Sequence, residues 1–205
     1  IYTDGIASGW KVLDASTLVA AQTLEADVAI IGSGAGGSVA AEILSQAGLK
    51  VLLLEEGPLK TSKDFRDMQE ARAYRELYQG GGPGKATSDG AITILQGRSV
   101  GGSTTVNWTS SFRTPESTLK HWASEHEVTG HSAEEMKPWF EQMEQRLNVA
   151  AWAVPPNPNN SVLQRGCDKL GWEAHVIPRN VKGCWNSGFC GFGCPVNAKQ
   201  SMLVS

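Results

Sequence analysis

The chain has 205 residues, of which 40% are hydrophobic and 19% are charged, an ordinary composition for a folded protein with a packed core. Its formal net charge is -3 and its Lys and Arg residues are scattered, so we expect no nucleic-acid partner. The apolar runs have the length of a strand, well short of the roughly 20 residues of a membrane-spanning helix, so we expect no transmembrane segment.

The first predicted elements form a strand, a helix and a second strand. Residues 1–25 show no clear period and are predicted to be an arm lying across the domain that follows. The apolar run Val28–Ile31 predicts a strand, residues 38–44 predict a helix that ends near Gly48, and Val51–Leu54 predicts a second, buried parallel strand. This order predicts the βαβ unit of an α/β fold with a Rossmann-like parallel sheet.

The remaining elements follow from the same patterns. Residues 62–78 are charged and helix-prone, and the glycines and proline at 79–84 allow only a loop. Further along the chain we predict a strand at 92–95, helices at 116–125 and 133–148, a stiff connector at 155–160, a helix at 163–170 and a strand at 174–177.

A glycine-rich turn follows the first predicted strand and consists of Gly32, Ser33, Gly34, Ala35, Gly36 and Gly37. In this pattern the first glycine permits a tight turn, the second lets the backbone approach a pyrophosphate, and the third lets the helix pack against the strand. Glu55 ends the second strand, where its carboxylate can accept hydrogen bonds from ribose hydroxyls and would repel a 2′-phosphate. Its neighbour Glu56 is either a second ligand or a solvated surface acid. The motif predicts a dinucleotide site without distinguishing FAD from NAD.

A second glycine cluster lies at residues 97–107. Gly101 and Gly102 would let the chain pass close to a flat ligand, and the nearby hydroxyl and amide groups would offer polar contacts to it. Arg98 could face a pyrophosphate. The candidate cofactor-binding residues of this segment are Arg98, Gly101, Gly102, Ser103, Thr104, Asn107, Trp108 and Thr109.

The second cluster resembles the signature of the glucose/methanol/choline (GMC) oxidoreductases, flavoenzymes that oxidise alcohols with FAD. The resemblance covers about residues 25–205, and the segments 162–171 and 177–180 are similar to the branch of long-chain fatty alcohol oxidases and their bacterial relatives. It implies FAD as cofactor, an alcohol as substrate, and hydride transfer from the carbinol carbon to flavin N5. Trp108 would then pack near the isoalloxazine, unless it is an ordinary core tryptophan.

The resemblance also implies a domain organisation. Residues 1–25 would be the arm, 26–115 the first part of the FAD-binding domain, and 116–205 a helical segment with the start of a substrate or cap domain. The family's catalytic histidine lies in a C-terminal half that this chain does not contain, so we expect a complementary C-terminal chain or segment and assign no catalytic residue here. The four histidines have surface-like contexts, namely His121, His126, His131 and His175. An NAD-dependent dehydrogenase and a non-catalytic nucleotide-binding scaffold remain alternatives.

Three cysteines, Cys184, Cys190 and Cys194, lie within eleven positions of glycine-rich sequence. Closely spaced thiolates are what an iron–sulfur cluster requires. The spacing resembles the loop that holds a three-iron cluster in bacterial FAD-dependent sugar dehydrogenases, which implies an electron-acceptor protein as a partner. A disulfide, free thiols, or a zinc site that includes Cys167 are alternatives. The compartment stays open between the cytoplasm and the periplasm or membrane periphery of a bacterium.

Overall fold

The computed structural model describes residues 2–204, and these residues form two compact units. The first unit runs to Trp108 and also includes the segment from Gly183 onward, which we call the return segment. The second unit is Thr109–Lys182. These compact units have other bounds than the functional domains predicted to divide after residues 25 and 115. The predicted functional domains therefore stay predictions.

The first unit carries the predicted βαβ arrangement. Its helices are α1 (Tyr2–Ala7), α2 (Ala35–Gln46), α3 (Ser62–Phe65), α4 (Glu70–Leu77) and α5 (Ser103–Val106), and its strands are β1 (Val28–Ile31), β2 (Val51–Leu54), β3 (Gly84–Lys85) and β4 (Thr93–Ile94). Strands β1 and β2 pair in parallel, with Val28 opposite Val51, and helix α2 connects them. The short strands β3 and β4 form a separate antiparallel pair. The predicted α/β class and parallel sheet are confirmed.

The two parallel strands are where they were predicted, but they are not fully buried. Ile31 of β1 is 89% exposed and Leu54 of β2 is 48% exposed. A parallel sheet normally has helices on both faces and further strands beside it. In the described part of the chain, β1 and β2 form a sheet of two strands, so their apolar side chains are only partly covered.

Helix α2 ends through a hydrogen-bonded glycine cap. The N–H of Gly48 donates to the carbonyl of Ser45 at 3.0 Å, and the N–H of Leu49 donates to the carbonyl of Leu44 at 3.1 Å. These two bonds form the Schellman arrangement, in which the residue after the helix takes a positive φ, here +87°. The predicted end of this helix at Gly48 is confirmed.

The core of the first unit lies under the second glycine cluster rather than under the parallel sheet. Its buried side chains are Phe65, Met68, Ala73, Leu77, Tyr78 and Val106. Helix α4 contributes Ala73 and Leu77, which are four residues apart and therefore lie on one face. The helix-prone stretch at 62–78 divides into α3 and α4, and Thr61 and Asp64 form a capping box that starts α3.

The return segment is bound to this core by two buried polar side chains. Lys199 is 2% exposed, and its Nζ donates hydrogen bonds to three backbone carbonyls, those of Thr105 at 2.8 Å, Asn107 at 2.6 Å and Cys190 at 2.6 Å. The hydroxyl of Tyr78 donates to the carbonyl of Gly191 at 2.8 Å. Burial, with a smaller contribution from Tyr74, raises the pKa of Tyr78 to about 12, so this hydroxyl keeps its proton.

The second unit is mainly helical. It contains α6 (Glu116–His126), α7 (Ala133–Arg146) and α8 (Pro158–Leu170), with strands β5 (Val149–Ala151) and β6 (Pro178–Asn180). The two strands pair antiparallel, with Val149 opposite Asn180. Helices α6 and α7 match the two predicted helical stretches to within a few residues.

Two predictions of secondary structure were wrong. The predicted connector at 155–160 contains the start of α8, because Asn157 caps the helix by accepting from the N–H of Asn160 at 2.9 Å and Pro158 suits the first turn. The predicted strand at 174–177 lies instead at Pro178–Asn180, where the pairing with β5 sets its position. The predicted arm, residues 1–25, includes the short helix α1, and its placement across the domain stays a prediction. Across residues 2–204, no helix combines the length and the apolar character needed to cross a bilayer.

We predict that Lys199→Met lowers the free energy of unfolding by about 1 to 3 kcal/mol, since it leaves three buried carbonyls without their donor while removing the desolvation of a charge. Chemical denaturation followed by circular dichroism measures the change. Lys63→Met is the matched control, because Lys63 is exposed in the same unit. A Lys199 variant as stable as the control would contradict the role assigned to this ammonium group.

Candidate functional site

The first glycine cluster forms the predicted turn between β1 and α2. Gly32 has a φ of +92°, which favours glycine, and its N–H donates to the carbonyl of Leu54 at 2.7 Å. A Cβ atom at Gly37 would overlap the carbonyl oxygen of Gly32, so only glycine lets α2 pack this close to the turn. The first and third glycines of the motif therefore have the structural roles that the sequence predicted.

The start of α2 is suited to bind an anion. The residue before the helix is Gly34, which has no side chain to cap the first N–H groups. A Cβ atom at Gly34 or Gly36 would meet no atom within 4 Å, so the space outside the loop is open. Ala35 begins the helix between them. Free N–H groups at the positive end of a helix attract phosphate groups, and these residues fit a pyrophosphate.

Glu55 lies beside the loop and is held by it. Its Oε2 accepts hydrogen bonds from the N–H of Ser33 at 2.9 Å and from the hydroxyl of Ser33 at 2.6 Å, while its Oε1 accepts from the N–H of Gly57 at 2.8 Å. Burial opposes the charge of the Glu55 carboxyl, but these hydrogen bonds outweigh burial and hold its pKa below the ordinary value. The carboxylate is thus ionised and oriented next to the glycine loop.

The next acid is paired with a base. Glu56 Oε2 lies 3.3 Å from Nε of Arg98, and both side chains are largely accessible to solvent. The backbone N–H of Arg98 donates to the carbonyl of Leu77 at 2.6 Å. The guanidinium group of Arg98 therefore forms an ion pair with Glu56, and its contact with a pyrophosphate stays a prediction.

The structure brings the two glycine clusters together. A Cβ atom at Gly102 would lie 2.8 Å from the Cα of Gly34 and 3.4 Å from its nitrogen, so the backbones touch at this point. The N–H of Gly101 donates to the hydroxyl of Ser33 at 3.0 Å. Residues about 68 positions apart in the sequence are thus in direct contact, and an atom larger than hydrogen at Gly102 would force them apart.

The hydroxyl groups of the second cluster bind its own backbone. Ser103 Oγ accepts from the N–H of Gly97 at 2.9 Å. The hydroxyl of Thr104 donates to the carbonyl of Gly101 and accepts from the N–H of Met202 at 3.0 Å. These bonds fix the shape of the cluster, and contacts of Ser103 and Thr104 with a cofactor stay predictions.

The predicted flavin-side residues have different surroundings. Asn107 follows α5, and its carbonyl is one of the three that Lys199 binds. Trp108 is 52% exposed, and its ring lies so close to Gly191 that a Cβ atom there would be 2.7 Å from it. Thr109 belongs to the second unit, where it is fully buried with a φ of +66°.

The structure gives no support to the predicted metal site. Within residues 2–204, no group of three or more His, Cys, Asp or Glu side chains is placed to hold a metal ion, and none of the four cysteines there forms a disulfide. Cys184 Sγ accepts from the N–H of Asn186 at 3.4 Å, whereas Cys194 Sγ accepts from the N–H groups of Ala198 at 3.2 Å and Lys199 at 3.5 Å. The sulfurs of Cys184 and Cys194 thus accept backbone hydrogen bonds in separate turns.

Two of the glycines near these cysteines, Gly191 and Gly193, serve packing. A Cβ atom at Gly193 would overlap the ring of Phe65, and Gly191 lies against Trp108 and accepts from Tyr78. The glycine-rich sequence that suggested a loop around a cluster is therefore explained by close contact with aromatic rings. The structure does not support the predicted three-iron cluster of Cys184, Cys190 and Cys194.

Sequence reasoning missed one residue of the site and the role of another. Ser33 was predicted as part of the dinucleotide-binding turn, but no sequence signal indicated that its hydroxyl joins Glu55 to the second cluster. Lys199 carried no motif signal, because its three acceptors are backbone carbonyls that a sequence does not mark. The histidines His121, His126, His131 and His175 are exposed and lie in the second unit, and none was assigned a role.

Comparisons with known proteins give the family. Residues 74–205 match the GMC oxidoreductase family, N-terminal part, and residues 30–59 match the NAD(P)-binding Rossmann-like domain. A long-chain-alcohol oxidase of Arabidopsis thaliana is 38% identical over 86% of this chain, and an uncharacterised GMC-type oxidoreductase of Sinorhizobium fredii is 34% identical over 89%. The chain spans 23% and 36% of the lengths of these two relatives.

A solved structure shares the fold. An FAD-dependent oxidoreductase from Chaetomium thermophilum superposes with a TM-score of 0.57 over 85% of this chain and 35% of its own length, at 16% sequence identity. The family match covers the second glycine cluster and the return segment, and the Rossmann-like match covers the first glycine loop, α2 and Glu55. The chain belongs to the GMC oxidoreductase family.

Proposed function

We propose that this chain forms most of the FAD site of an enzyme that oxidises an alcohol to a carbonyl compound. The observation that carries the proposal is the contact between the two glycine clusters, which brings the backbone of Gly101 and Gly102 next to the open start of α2 and to Glu55. A lone glycine loop would suit many nucleotides. The second cluster, in a chain of the GMC family, favours FAD.

Each part of this surface has a role toward the cofactor. The N–H groups at the start of α2 would bind the pyrophosphate, and Glu55 would accept hydrogen bonds from the adenosine ribose. The ionised Glu55 would repel a 2′-phosphate and so favour a cofactor without one. The backbone of the second cluster would approach the flavin side. When bound, FAD supplies the chemistry by accepting a hydride from the carbinol carbon at flavin N5.

We further propose a long aliphatic alcohol as the substrate and a complementary C-terminal segment or chain as a necessary part of the enzyme. The relatives that support this substrate are named long-chain-alcohol oxidases, and this chain spans about a quarter of their length. The exposed apolar side chains of β1 and β2 fit an extension of the parallel sheet by further strands. The catalytic base would lie in that remaining part.

A NAD-dependent dehydrogenase is the second candidate, because residues 30–59 match a NAD(P)-binding Rossmann-like domain. It would use only the first glycine loop and Glu55, and it would leave the close contact of Gly102 with Gly34 without a function. Bound flavin in the purified protein distinguishes the two candidates, since FAD absorbs visible light and NAD does not.

We predict that the full-length protein purifies with a visible flavin absorption band, and that a long-chain primary alcohol bleaches this band in the absence of oxygen. The reduced flavin loses its visible absorption when it takes the hydride. Anaerobic spectrophotometry with the alcohol, and with the matching alkane as a control, measures the effect. A colourless protein that reduces added NAD would instead establish the second candidate.

We predict that Gly102→Ala weakens FAD binding by at least about 10-fold, because the new methyl group would separate the two clusters. Gly48→Ala is the matched control, since Gly48 also has a positive φ but a Cβ atom there meets nothing within 4 Å. The control is expected to lose about 1 kcal/mol of stability and to keep its FAD. Flavin fluorescence titration compares the variants, and equal affinities would contradict the proposed site.

A further inference from the structure

Ser33 occupies an unusual place in the first glycine loop. It is 2% exposed, although it stands between two glycines in a turn. Its hydroxyl donates to Glu55 Oε2 at 2.6 Å and accepts from the N–H of Gly101 at 3.0 Å. One buried hydroxyl therefore joins the acid at the end of β2 to the second glycine cluster.

The direction of these two bonds is fixed. A serine hydroxyl has one proton, and Glu55 as a carboxylate can only accept, so Ser33 must donate to Glu55. The lone pairs of its oxygen are then left to accept from the N–H of Gly101, which would otherwise be a buried donor without an acceptor. The backbone N–H of Ser33 adds a second bond to the same carboxylate oxygen. The loop thus holds Glu55 at one oxygen and leaves less freedom for the side chain to rotate.

We propose that Ser33 is a positioning residue for FAD, which aligns the Glu55 carboxylate toward the adenosine ribose and holds the second glycine cluster against the first. The inference rests on the proposed FAD site and adds a specific residue to it. Ser33 acts through Glu55 and Gly101. Replacing it therefore changes both the ionisation of the Glu55 carboxyl and the mobility of the second cluster. A spacer residue would change neither.

The hydrogen bonds from Ser33 also help to keep Glu55 ionised at low pH. If the ribose binds the ionised form, FAD affinity is lost as the pH falls through the pKa of Glu55. Removing the Ser33 hydroxyl raises that pKa, so the loss begins at a higher pH. Glu56 and Arg98, the charged pair next in the chain and near the site, are unchanged by this substitution.

The first experiment measures FAD affinity of the full-length protein as a function of pH for Ser33→Ala. We expect affinity about 5- to 30-fold weaker at neutral pH and an acid midpoint shifted to higher pH. Ser33→Cys, which keeps nearly the same shape with a weaker donor, should change both quantities in the same direction by less. Ser45→Ala is the matched control, because it removes an exposed hydroxyl on α2 that bonds only within the helix.

The second experiment needs no cofactor. Hydrogen exchange followed by mass spectrometry of the FAD-free protein should show faster exchange in the peptide containing Gly101 for Ser33→Ala, because that N–H loses its acceptor. The Ser45→Ala control should exchange like the wild type. Unchanged exchange at Gly101 would overturn the inference, whether or not the protein binds FAD.

The two experiments separate the inference from the proposed function. A Ser33→Ala variant that binds FAD with wild-type affinity and an unchanged acid midpoint would overturn the role of Ser33 and leave the FAD site standing. A wild-type protein that takes up no FAD would overturn the proposed function, and the exchange of Gly101 would still decide whether Ser33 holds the second cluster.

Discussion

The close approach of two glycine clusters is the contact on which the rest of the first unit depends. Gly102 lies so near Gly34 that a Cβ atom at Gly102 would overlap its backbone, and Ser33 bridges the same two segments through its hydroxyl. This contact fixes the position of the second cluster relative to α2 and Glu55.

The return segment stabilises that arrangement through hydrogen bonds to α5 and its neighbours. Lys199 places a buried ammonium group among three carbonyls, two of which belong to residues in or next to α5. Tyr78 binds the same return segment with a hydroxyl that burial keeps protonated. A buried cation is stable only when its donors are all used, so the return segment, α5 and α4 hold one another in a single geometry.

The closely spaced cysteines and glycines of the return segment are compatible with two kinds of structure. Closely spaced cysteines and glycines are typical of a loop that wraps an iron–sulfur cluster, and they are equally suited to a chain that crosses aromatic rings at short range. Here Gly191 and Gly193 lie against Trp108 and Phe65, and the sulfurs of Cys184 and Cys194 accept backbone hydrogen bonds in separate turns. The spacing of residues was visible in the sequence, but the direction of their side chains was not.

The sequence by itself determined the strand, turn and helix around Gly32 and the acid Glu55, because these depend on short-range periodicity and on glycines with local roles. The family was indicated by the resemblance of residues 97–107 to a known signature. Tertiary structure decided what joins distant segments: the contact of Gly102 with Gly34, the bridge through Ser33 and the three carbonyls around Lys199. It also placed β6 at Pro178–Asn180, because pairing with β5 set its register. The physical reason is that backbone carbonyls and N–H groups are the same in every residue, so a sequence does not mark which of them will meet.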